Sequence, residues 1–97
     1  MKVAIFVKDE KISSISPDAF YVLVFTLNED IIIGLEIENF YNNNIGYISV
    51  WLLNRKVNVV FMESAEDGIR YYFSQMNIEV RSFDDLKKNH IFRAFLM

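Results

Sequence analysis

The sequence predicts a three-layer α/β/α fold around a five-stranded mixed sheet. Two observations carry that prediction. Between Asn44 and Val80 the chain alternates helix, strand, helix, strand with almost no slack: NNNIGYISVWLLNRK, VNVVFM, ESAEDGIRYYFSQM and NIEV. This alternation marks parallel strands joined by crossover helices. Ahead of it stand three β-prone apolar runs joined by polar links, which read as a meander.

Lys2 to Val7 is almost continuously apolar, as in a central strand covered on both faces. Asp9 to Asp18 is polar and holds the only proline, Pro17, so it reads as a loop. Phe20 to Thr26 is apolar and aromatic again, and Asn28-Glu29-Asp30 is a tight hairpin link. From Ile31 to Glu38 the pattern alternates. Ile31, Ile33, Leu35 and Ile37 share one face, and Ile32, Gly34, Glu36 and Glu38 share the other. Two outward glutamates predict an edge strand with that second face solvated.

Asn42, Asn43 and Asn44 offer N-cap side chains to the first helix. That helix carries Ile45, Ile48, Trp51 and Leu52 at helical spacing and ends on Arg55-Lys56, where cations favour the dipole. Trp51 is expected against the sheet. Val57 to Met62 is a buried strand. Ser64 to Asp67 resembles a capping box for the second helix, whose apolar stripe is Ala65, Ile69, Tyr72, Phe73 and Met76. That stripe leaves Tyr71 to the surface. Ile78 to Val80 is a short strand, and Ser82 to Asp85 repeats the capping pattern before a last helix containing Leu86, Ile91, Phe92, Phe95 and Leu96. The simplest strand order for βββαβαβα is 3-2-1-4-5. Both right-handed crossovers then place their helices on one face, and the last helix returns to the other.

Ninety-seven residues suit one domain, 1–97, able to bury roughly 60–70% of its extended surface. Hydrophobic residues make up 53% and aromatics 15%, more apolar surface than a small monomer needs, so a partner surface is expected. There is no cysteine, which excludes disulfides, thiolate metal sites and thiol nucleophiles. The net charge is −3 and the cations come in scattered pairs, which argues against nucleic acid as a partner. No apolar run approaches a membrane span. The opening MKVAIFV reads as a strand and not as a signal peptide, so a cytoplasmic location is expected.

The segments IGYISVWLLNRKVNVVF and DGIRYYFSQMNIEV, with the opening MKVAIFV and the run ISPDAFYVLVF, resemble the dinitrogenase iron-molybdenum cofactor biosynthesis family. The resemblance covers most of the chain. It implies a ribonuclease-H-like topology and a small non-catalytic protein that binds or assists in handling nitrogenase cofactors and their precursors. Family members usually carry a glycine-rich turn after the fourth strand and a histidine or cysteine near the N-terminal loops. Here Met62 to Gly68 is acidic and the single histidine, His90, lies in the last helix. The expectation is an accessory protein without the usual cluster ligands.

Open α/β sheets bind ligands beyond the carboxyl ends of strands where strand order reverses. That point brings Lys8, Asp9, Glu10 and Lys11 towards Glu63 and Ser64, a candidate pocket for a divalent cation held by Asp9, Glu10 and Glu63. The bland reading of the same residues is helix capping beside a solvated loop. Asp9, Glu36 and Glu63 invite comparison with two-metal nucleases. His90, without a second soft ligand, reads as a packing or capping residue. The residues name no cofactor and no metal. The terminal Phe92, Phe95, Leu96 and Met97 are apolar enough to dock on the open sheet face or to form a homodimer or partner surface. The alternative to the accessory reading is therefore an interaction or oligomerisation module on the same scaffold.

Overall fold

The structure is a computed structural model and describes residues 1–9, 11–15, 18–41, 44–64 and 66–88. Glu10, His90 and the terminal Phe92, Phe95, Leu96 and Met97 lie outside the described residues. So do Pro17, Asn42, Asn43 and Ala65.

The first apolar run becomes β1 (Lys2–Lys8), and its residues from Val3 to Val7 are all buried. The chain turns at Asp9, which takes a left-handed backbone (φ 52°), into a two-residue strand, β2 (Lys11–Ile12). β3 (Phe20–Asn28) pairs antiparallel with β1, and a tight turn leads into β4 (Ile31–Phe40). Glu29 and Asp30 both have positive φ (50° and 67°), the hairpin geometry whose twist matches that of paired strands. Beyond α1 (Ile45–Asn54), β5 (Val59–Phe61) runs parallel to β1. Beyond α2 (Asp67–Ser74), β6 (Glu79–Arg81) runs parallel to β5, and α3 (Phe83–Lys87) follows.

The sheet order is β4-β3-β1-β5-β6, with β2 paired to the end of β1. Leaving β2 aside, this is the 3-2-1-4-5 order of a ribonuclease-H-like sheet. Among the described residues the sheet has six strands, one more than the expected five. β2 is two residues long, too short for any periodic signal.

The core lies on both sides of the sheet. On one side Ile48, Trp51 and Leu52 of α1 and Phe73 of α2 join Ala4, Phe6, Val22, Val24 and Val60. On the other, Leu86 of α3 joins Val3, Ile5, Phe25, Val59 and Phe61. The crossover helices thus share one face and α3 takes the opposite one. Full burial of Phe73 contributes on the order of 1.5–3 kcal/mol. Ser49 of α1 is buried, but its hydroxyl donates to the Gly46 carbonyl at 2.9 Å and lies 3.3 Å from the Tyr72 hydroxyl of α2. Tyr71 is exposed, and Trp51 is buried edge-on to Phe40.

Two caps form as expected. The Asn44 side chain accepts from the Tyr47 amide at 3.1 Å, and Ser82 with Asp85 makes a reciprocal capping box at α3. The third does not. The N-cap of α2 is Glu66, with no side-chain cap bond. The backbone amide and carbonyl of Ser64 are bonded to the Ser14 hydroxyl, and the helix starts beyond it.

β4 departs from the sequence reading in two ways. Pairing with β3 slips by one residue: Thr26 faces Gly34, whereas Leu27 faces Ile32. Ile33 is the extra residue of a bulge, so the strict alternation breaks there. Both faces are also open, not one: Glu36 is exposed and Glu38 half-buried, and the apolar face is solvated too. Glu36 and Glu38 lie opposite Val24 and Val22, on the α1 side. The Arg55 Nε at the end of α1 donates to Glu36 Oε1 at 2.9 Å. Leu35 and Ile37 lie opposite Phe25 and Leu23, on the α3 side, and are 55% and 56% exposed.

Candidate functional site

Three regions bear on function: the crevice at the sheet's switch point, a polar groove beside β6 and the apolar surface of β4.

The switch point lies between β1 and β5, where the meander meets the parallel half of the sheet. β2 and the residues after it occupy this crevice. The Ser13 amide donates to Phe6 O at 2.7 Å, and its carbonyl accepts from the Glu63 amide at 3.0 Å. The Ser14 hydroxyl donates to Ser64 O at 2.6 Å and accepts from the Ser64 amide at 3.1 Å. A strand-like seam therefore joins segments fifty residues apart and engages the Glu63 amide and the Ser64 amide and carbonyl.

The candidate pocket residues stand around this seam. Glu63 and Ser64 meet Ser13 and Ser14. Lys8 is partly buried and its Nζ contacts Asp18 Oδ2 at 3.0 Å. Lys11 pairs opposite Lys8 in the β1–β2 ladder, and Asp9 is exposed at the hairpin tip. Among the described residues no group of three or more histidine or acidic side chains is close enough to hold a metal ion. Asp9, Glu36 and Glu63 are not assembled either. Three strand spacings separate β4 from β5, about 14 Å.

A groove of about 400 Å³ lies beside β6, lined by Arg70, Glu79, Val80, Arg81, Asp85 and Lys88. Its charges are largely paired. The Arg70 Nη1 donates to Val80 O at 2.6 Å, and Arg81 Nη2 lies 2.8 Å from Glu79 Oε2. Asp85 Oδ2 accepts from the Ser82 amide at 3.1 Å and hydroxyl at 3.2 Å. The amide bond is the main cause holding the Asp85 carboxyl below its usual value, with Lys88 and Arg70 adding to it. The sequence pattern does not reveal this groove, because its members come from two helices and a strand and follow no spacing.

The third region is apolar. Ile33 of the bulge is 63% exposed and, with Leu35 and Ile37, forms a stripe along the sheet's outer strand. Half-buried Leu23 on β3 lies beside Ile37. On the other side of β4, α1 contains no charged residue and exposes Tyr47, Val50 and Leu53. The signal for this region was present in the alternation of β4, but alternation alone does not say which face is covered.

Fold and surface together define a small mixed α/β protein of ribonuclease-H-like topology with an apolar free edge. No family model matches the chain, and no curated protein matches it. Among solved structures it is similar to that of PH0822, with a TM-score of 0.66 and 17% identity over 94% of this chain and 90% of that one. At that identity the likeness shows the fold. Among the described residues no helix is long and apolar enough to cross a membrane.

Proposed function

We propose that this chain is a non-catalytic accessory protein that works by protein–protein contact through β4. The observation that carries the reading is the stripe of Ile33, Leu35 and Ile37, exposed on a strand whose outer backbone edge faces no other strand among the described residues. Exposed contiguous apolar surface of this kind marks interaction sites, and an unpaired strand edge adds directional hydrogen bonding to it. The seam through Ser13 and Ser14 supports the same reading from the other side, because it ties together the two segments that flank the point where a sheet of this type would hold a small ligand. In this reading the resemblance to the iron-molybdenum cofactor biosynthesis family is a kinship of scaffold and of accessory role.

A photo-crosslinking residue in place of Leu35 tests this in cells. It is expected to yield a protein adduct of defined mass, whereas the same residue in place of exposed Tyr71 yields none. Equal, indiscriminate labelling at both positions, or none at Leu35, contradicts the reading.

A further inference from the structure

The geometry points to a second copy of this chain as the occupant of β4, paired antiparallel about a two-fold axis at Leu35. The inference rests on the reading of β4 as the interaction surface and names the partner.

The opposite edge of the sheet cannot serve as that partner. β6 is three residues long, and Arg70 already occupies the Val80 carbonyl. A β4-to-β6 contact would also be head-to-tail, which builds rings or open filaments instead of a two-fold dimer. β4 against β4 is isologous and closes.

Charge and apolar contact together select the register. A two-fold axis normal to a continuous sheet keeps each side chain on its own face, so one residue sits opposite its own copy. The bulge at Ile33 leaves Gly34 to Phe40 as the regular part of the outer edge. With Glu36 on the axis, two carboxylates oppose each other. An axis at Ile37 opposes Glu36 and Glu38 twice. Like charges directly opposite destabilise a strand pair. Placing Leu35 on the axis avoids both: Glu36 faces Gly34, whose lack of a side chain leaves it room, and Glu38 faces the Ile32–Ile33 bulge. Leu35 then packs on its own copy and Ile33 on Ile37.

The area is adequate for a reversible dimer. Ile32, Ile33, Leu35 and Ile37 expose on the order of 400 Å² of apolar surface on each copy. With the paired backbone, the total reaches roughly 1,000 Å², the low end for a specific interface. Association is therefore expected to depend on concentration.

The chain has no cysteine, so a single introduced one reports alone. Directly opposed residues lie about 4.5–5.5 Å apart at Cα, within disulfide reach. Neighbours two residues off register do not. The wild-type chain is expected to sediment as a dimer that dissociates on dilution. Oxidation should link Leu35→Cys into a covalent dimer while Glu36→Cys and Tyr71→Cys stay single chains. Leu35→Lys, with an unchanged circular dichroism spectrum, should weaken the dimer about ten-fold or more. Linking at position 36 or 71 in preference to 35 overturns the edge-paired register. A wild-type monomer at high concentration overturns the second copy as partner. In that case a Leu35 photo-adduct with a different protein would leave the broader interaction reading standing, and its absence would remove both.

Discussion

At one end of the sheet β6 presents three residues to its surroundings; at the other β4 presents ten. The short edge is guarded. Arg70 caps the Val80 carbonyl, an Arg81–Glu79 pair flanks it, and α3 begins one residue later behind its own capping box. The long edge carries a bulge and two glutamates, devices that usually discourage edge pairing. Yet its glutamates lie on the α1 side, where Arg55 holds Glu36, and its open side is apolar. Protection and exposure are thus divided between the two ends of one sheet. A chain that only needed to stay apart from other chains would guard both.

The same substitution at both edges separates their roles most sharply. Val80 is almost completely buried in the core, so Val80→Lys places an unpaired charge there and should destabilise the fold by about 3 kcal/mol or more. Leu35→Lys adds a charge to an exposed position and should change monomer stability by no more than about 0.5 kcal/mol. Urea unfolding of the two variants checks this. Comparable losses at both would show that β4 is part of the core and not a surface.

A smaller effect tests how β6 is guarded. Arg70→Met keeps the apolar stem and removes the donor to Val80 O, leaving a partly buried carbonyl unsatisfied at a cost of about 1–3 kcal/mol. A variant of unchanged stability would mean that the Arg70 bond contributes nothing and that the edge is guarded by its length alone.

The smallest effect belongs to the α3 cap. Asp85 has a depressed pKa in the folded chain, so its contribution is present above the ordinary aspartate value and is lost as pH falls through the lower, folded value. The stability difference between the wild type and Asp85→Asn should therefore hold at neutral pH and shrink only below about pH 3.9. A difference that vanishes between pH 5 and 7 would assign it to another group.

Much of this fold was legible because few arrangements satisfy the pattern. Two right-handed crossovers after a meander leave little choice of strand order, and the helical stripes of α1 and α2 point to a shared face. Phe73 and Trp51 fell in the core because their spacing repeats with their helices. What the pattern lacked was length or context. Lys11 and Ile12 are too few to signal a strand. Ser64 has the chemistry of an N-cap, but its backbone is tied to the Ser14 hydroxyl fifty positions away and the cap falls at Glu66, which local spacing cannot register. Alternation in β4 separates the two faces from Gly34 onward and puts exposed Glu36 on a solvated one, but it does not show that the apolar face is open as well. Arg55 pairs with Glu36 on the α1 side. Around the candidate pocket, Glu63 and Ser64 are bonded to Ser13 and Ser14, contacts between distant segments that no local spacing can signal.

The most direct test of the central claim is the photo-crosslinking experiment carried out at both ends of the sheet, with the reactive residue at Leu35 in one variant and at exposed Glu79 in another. The account predicts a discrete protein adduct at Leu35 and none at Glu79. A discrete adduct at Glu79 with nothing at Leu35 would contradict it, because the guarded edge would then be the one that meets a partner.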